Sequence, residues 1–198
     1  MPDVMNTMTS LFPLTATIAI CIFIAKELIE FGKRRNEKLR KIAAYKVLVA
    51  EELLKNAWSI RSMREVLAAL QDRFDKVLLE KTFSGSSYIV VERMNGKQSA
   101  PLWPFHFSIF DRAVIDLAVL DKDFFESVKA TYLALATVKH ARTVLMDMCN
   151  DDHSLSDHLH SFVDYAVSQM DVAEARIKVT YKDCTGMELD RQKLVSFM

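Results

Sequence analysis

Glycine and proline are scarce, four of each in 198 residues, which argues against a loop-rich or sheet-dominated fold and favours helices. No glycine-rich phosphate loop, nucleophile elbow or paired zinc-ligand motif occurs. Cysteine is scarce too. Cys21, Cys149 and Cys184 are an odd number at wide spacings, which excludes a disulfide framework or a zinc knuckle. Charge of one sign is also lacking: 26 basic and 26 acidic side chains cancel, so the chain as a whole carries no footprint for nucleic acid. Nothing in the pattern implies a cofactor or a resident metal.

Long hydrophobic runs are absent except for one. From Val4 to Ala25 no residue is charged, and Lys33, Arg34, Arg35, Lys38, Arg40 and Lys41 follow closely. The apolar heart, Leu11 to Ala25, is short, roughly 22 Å of helix against a hydrocarbon core of about 30 Å. Extension by Met5, Met8 and Thr9 on one side, and by Leu28, Ile29 and Phe31 on the other, lengthens it. The expectation is a transmembrane anchor over residues 1–32. The basic cluster favours the inner side, so the sequence predicts a single pass through a bacterial cell membrane with the amino terminus outside. The chain from 33 to 198 is then cytoplasmic, with Lys33, Arg34, Arg35, Lys38, Arg40 and Lys41 on lipid head groups.

Beyond Gly32, Leu39, Ile42, Val49, Leu53, Ile60, Met63, Leu67, Leu70, Phe74 and Val77 follow steps of three and four, the stripe of one long helix. Lys46 and Asn56 fall on its seam, where a polar residue can fix register or copy number. Ser84 to Pro104 breaks the period: Tyr88 to Val91 is β-branched and aromatic, and Asn95-Gly96 signals a tight turn, so a small β-hairpin or loop insertion is expected over 84–104. Trp103, Phe105, Phe107 and Phe110 would plug one end of the bundle. Three further helices are predicted: Phe107 to Leu120, Asp121 to about Cys149, and one opened by Ser154 with Asp157 and closed by Gly186. A short amphipathic piece, Met187 to Met198, would follow. The fold class expected is therefore all-α, an N-terminal transmembrane helix followed by a long-helix cytoplasmic bundle.

Candidate chemistry is thin. Asp151, Asp152, His153, Asp157, His158 and His160 form the densest polar constellation, yet only Asp157 and His160 share a helix face. A hydrolase using that pair is one alternative function. A helical ribonuclease marked by Arg, four to six residues, then His is another, and no histidine of this chain is preceded by arginine at that gap. Glu51-Glu52 reads as an exposed helix face, and Lys139-His140-Ala141-Arg142 as a solvated one.

Small residues recur every four positions before the basic cluster. Thr15 with Ala19, and Thr17, Cys21 and Ala25, would let two helices approach closely, placing Lys26, Glu27 and Glu30 in a ring of charge. Association into a homo-oligomer is expected, acting through assembly or a protein partner without catalysis. The layout as a whole, with Val49-Ala50-Glu51-Glu52-Leu53-Leu54-Lys55-Asn56 in the long helix and Phe125 through Tyr132-Leu133-Ala134-Leu135 later, resembles a widespread group of small bacterial single-pass membrane proteins. A similar layout is seen in membrane accessory proteins of bacterial antiviral systems. That resemblance implies, as a further alternative, an oligomeric pore-forming effector.

Overall fold

The structure, a computed structural model, describes residues 3–71, 76–81, 87–150 and 155–189, with the side chains of 3–15, 81, 150, 155–158 and 160 left aside. Among these, the order is α1 (Asp3–Gln71), β1 (Lys76–Lys81), β2 (Ser87–Arg93), β3 (Gly96–Pro101), α2 (Ser108–Leu120), α3 (Lys122–Asn150) and α4 (Leu155–Thr185). The chain divides into two units, residues 1–43 and 44–198.

The second unit has one core, drawn from the later part of α1, from β1 and β2, and from α2, α3 and α4. Val49, Leu53, Ile60, Met63, Leu67 and Leu70 are buried at the steps the sequence predicts, and Ala50, Ala57, Val66 and Ala69 bury a second flank. Val128, Tyr132, Leu135, Val138 and Leu145 are buried on α3, and Leu159, Val163, Ala166, Met170, Ala173 and Ile177 on α4, where Val163 rather than the expected Phe162 takes the inward place. Fully burying one such side chain is worth about 1.5–3 kcal/mol, so these stripes rather than helix propensity hold the bundle.

Two expectations about the fold are corrected. The insertion is a three-stranded antiparallel sheet in the order β1-β2-β3, not a lone hairpin. Val77, expected on the helix stripe, instead pairs with Val91, as Leu79 does with Ile89. A helical period continued into Val77, Leu78 and Leu79 could not reveal that the β-branched run Ile89 to Val91 needs a partner strand on each side. The turn after β2 is made by Met94 and Asn95, and the positive φ, 139°, falls on Gly96 rather than on Asn95. Gly186, at φ 71°, ends α4 by donating its N–H to the Lys182 carbonyl at 2.7 Å, the left-handed stop glycine allows.

The membrane crossing, and with it the single-pass inner-membrane localisation, is not supported: among the described residues no helix is long and apolar enough to cross a membrane. From Ala16, where described side chains begin, ten uncharged residues lead to Lys26, with Glu27 and Glu30 close behind. That is roughly 15 Å of helix against a core of about 30 Å. Residues before Ala16 lie outside the described side chains, as do the 151–158 cluster, His160, Phe74 and the chain after 189. The head-group contacts assigned to Lys33, Arg34, Arg35, Lys38, Arg40 and Lys41 rested on that crossing.

Arg64 on α1 reaches Asp171 at 2.8 Å and Glu174 at 3.1 Å on α4, and Lys178 also pairs with Glu174 at 2.8 Å. Lys178 first, then Arg64, holds the Glu174 carboxyl below its ordinary value. A depressed carboxyl contributes stability above the usual value of 4.5 and loses it as pH falls through the folded value. Water reaches a third or more of each of these side chains, so Arg64→Ala should cost under about 1 kcal/mol in a urea melt at pH 7. At pH 3 the difference should shrink further.

Candidate functional site

Four polar side chains of α1, Glu52, Asn56, Ser59 and Ser62, lie on one helix face at steps of four, three and three, and all four are buried. Their partners run from the end of β3 through the irregular segment to the first turn of α2, with Tyr132 of α3 added at Glu52. Buried backbone without a ladder must find side-chain partners. Pro101 and Pro104 remove two N–H groups from that account, and the face of α1 meets much of the rest. Ser62 donates to the Pro101 carbonyl, and Ser59 to the Pro104 carbonyl at 2.8 Å. Asn56 makes a two-way contact with His106: its amide donates to the carbonyl at 2.8 Å, and its oxygen accepts the His106 N–H at 2.7 Å. From α3, Arg142 donates to the Leu102 carbonyl at 2.9 Å.

Glu52 closes this clamp. Its carboxylate accepts the Ser108 hydroxyl at 3.0 Å, the N–H groups of Ile109 at 2.9 Å and Phe110 at 3.3 Å, and the Tyr132 hydroxyl at 2.6 Å. The residue before α2, Phe107, supplies no side-chain cap. Glu52 therefore caps α2 from another helix, placing negative charge where the helix dipole is positive. Burial first, and the Glu52 contact second, raise the Tyr132 hydroxyl above its ordinary value. Phe110 stacks on the Tyr132 ring at 4.4 Å, and Phe107 meets it edge-on at 5.6 Å. With Glu52 only 3% exposed and four donors upon it, the arrangement shapes the fold and offers no carboxylate to a substrate.

The other sequence-singled residues are dispersed. Lys46 sits 5.0 Å from the centre of the Phe124 ring, and Asn56 has both amide functions engaged inside the chain. Ala19, Cys21, Ala25, Lys26 and Glu27 are exposed, as is Thr17, while Thr15 falls outside the described side chains. Glu30 pairs with Arg34 at 3.5 Å. Asp157 and His160 also lie outside the described side chains, and among the described residues no group of three or more His, Cys, Asp or Glu could hold a metal ion. Glu52 was missed because its neighbour Glu51 is exposed and the pair looks alike in sequence. The signal that could have found it is the polar step Glu52, Asn56, Ser59, Ser62 beside the apolar seam.

Comparison with known proteins leaves this geometry to stand alone. No family model, curated protein or solved structure matches the chain. What remains unexplained by folding within one chain is the first unit. Ile18, Ile20, Ile22, Phe23, Ile24, Leu28, Ile29 and Phe31 are each more than half exposed. The thiols differ in the same sense. Cys21 is exposed, whereas burial pushes Cys149 up to about 11 and Cys184 up to about 12.

Proposed function

We propose that this is a non-catalytic, self-assembling helical protein, and that residues 18–32 of α1 are its assembly element, covered by the same segment of other copies. The observation that carries this is a heptad. With Ile18 at position a, every charge from Lys26 to Arg34 falls on b, c or f: Lys26, Glu27, Glu30, Lys33 and Arg34. Positions a, d, e and g hold Ile18, Cys21, Ile22, Ile24, Ala25, Leu28, Ile29, Phe31 and Gly32. A two-stranded coiled coil buries chiefly a and d; apolar e and g widen the face and favour three or more helices. Moving the six large apolar side chains of that seam, Ile18, Ile22, Ile24, Leu28, Ile29 and Phe31, out of water is worth on the order of 10 kcal/mol per copy. That offsets an association cost of about 4–15 kcal/mol. Small Cys21, Ala25 and Gly32 on the same seam permit close approach.

Light scattering of the purified 22.7 kDa chain should give three copies or more, falling on dilution. Ile24→Glu with Leu28→Glu, at g and d, should lower the mass, whereas Ile20→Glu at c should leave it unchanged. Mild oxidation should link Cys21 to Cys21 between copies and spare the other thiols. A monomer at every concentration overturns the proposal. So does equal sensitivity at c and g, which would mean the stretch is covered on all sides by something other than a helical seam.

A further inference from the structure

We infer that the outer face of α4 is a second copy-to-copy surface, occupied by α4 of another copy lying parallel to it. The inference rests on the reading of the protein as an assembly and adds an element and a direction to it. An outer helix of a bundle normally carries charge along the face turned from the core. On α4 that face reads Ser161, Tyr165, Ser168, Val172, Ala175 and Val179, at steps of four and three, without one charge and with all six exposed. Tyr165, Val172 and Val179 remain 47%, 50% and 58% exposed, directly opposite the stripe that faces the core.

Charge decides the occupant and its direction. Placing Tyr165, Val172 and Val179 at a puts Asp171 and Lys178 at g, and Arg176 and Asp183 at e. In a parallel in-register pair, each g residue meets the partner's e residue five positions on. Asp171 then meets Arg176 of the partner subunit and Lys178 meets Asp183 of the partner subunit, each twice by symmetry. All four contacts are attractive, and Asp171 and Lys178, already paired with Arg64 and Glu174 in their own chain, keep more than half of each side chain exposed. The antiparallel alternative gains two Asp171 to Lys178 contacts but sets Arg176 against the uncharged Gln169 and leaves Asp183 without an opposite charge. Ser168 and Ala175 at d leave room beside the larger a residues, and Lys182, the next d residue and the end of the uncharged face, is neutralised by Glu188 of its own chain. Exposed pairs of this kind contribute little each, so they select direction while the apolar face supplies affinity.

The test uses the full chain carrying Cys21→Ser and Tyr165→Cys, under mild oxidation, with and without Leu28→Glu. Parallel pairing sets the two cysteines side by side, so a covalent dimer should form in both backgrounds. An antiparallel pair would hold them about 25 Å apart along the helices. Val172→Arg should slow crosslinking at least tenfold. Asp171→Arg should slow it as well, and adding Arg176→Asp should restore it. No covalent dimer in either background, with the light-scattering mass still sensitive to Leu28→Glu, overturns this inference and leaves the first assembly element standing. Crosslinking indifferent to Val172→Arg overturns it equally. A dimer that survives Leu28→Glu while the mass ignores that change supports α4 and removes the α1 proposal.

Discussion

Glu52→Ala should cost the fold roughly 3–5 kcal/mol, a large fraction of the 5–15 kcal/mol typical of a domain. Alanine leaves the Ser108 and Tyr132 hydroxyls and the N–H groups of Ile109 and Phe110 without their common acceptor. A donor stranded away from water, as the Tyr132 hydroxyl is, costs about 1–3 kcal/mol, and the part-buried Ile109 and Phe110 N–H groups and the hydroxyl of exposed Ser108 cost less because water reaches them. Glu52→Gln should fall between alanine and wild type. Its oxygen can serve one N–H, and the hydroxyls of Ser108 or Tyr132 can turn to accept from its amide, but the second N–H faces a donor. Tyr132→Phe should cost only about 1 kcal/mol, because the stack on Phe110 survives and only one donor leaves. Urea unfolding of the three variants gives the order, and hydrogen exchange at Ile109 and Phe110 should quicken first in Glu52→Ala. A Glu52→Ala protein within 1 kcal/mol of wild type would show that the clamp does not hold α2.

Asn56→Leu is the second large effect, about 2–5 kcal/mol by urea unfolding, since it strands the N–H and the carbonyl of His106 on the side turned to the fully buried Asn56. Asn56→Asp tests the cause. Its carboxylate still accepts the His106 N–H but turns a second oxygen on the His106 carbonyl. The charged form is disfavoured in the folded state, so the introduced carboxyl should titrate above its unfolded value of about 3.9. Such a group penalises the fold at neutral pH and less as pH falls, because the protonated form can donate as the amide does. Asn56→Asp should therefore lose stability relative to wild type as pH rises from 4 to 7. A difference that is flat with pH would sink the argument that hydrogen bonding, rather than packing, fixes Asn56.

How much of this was legible follows from the range of each interaction. Helix positions were readable wherever burial follows the helical period, as from Val49 to Leu70 and from Val128 to Leu145. The helix over Ser108–Leu120 was readable from its apolar period although its cap comes from distant Glu52, and the end of α4 at Gly186 was readable because a glycine stop is local. The third strand was not. Val77, Leu78 and Leu79 satisfy a helical stripe as well as a strand, and only Val91 opposite Val77 decides between them. The role of Glu52 was equally hidden, because its four partners lie 56 to 80 residues away. The run before Lys33 was read as a membrane crossing from its lack of charge, and the described helix does not support that.

The sequence by itself determined that the chain is mainly helical and which faces of those helices are apolar. These are properties of composition and of periods shorter than eight residues. Tertiary structure alone decided that Glu52 and Asn56 bind the segment before α2, that β1 completes a sheet, and that Ile18 to Phe31 and the outer face of α4 are left uncovered within one chain. Burial and hydrogen-bond partners depend on which distant residues arrive alongside, and no local pattern carries that information.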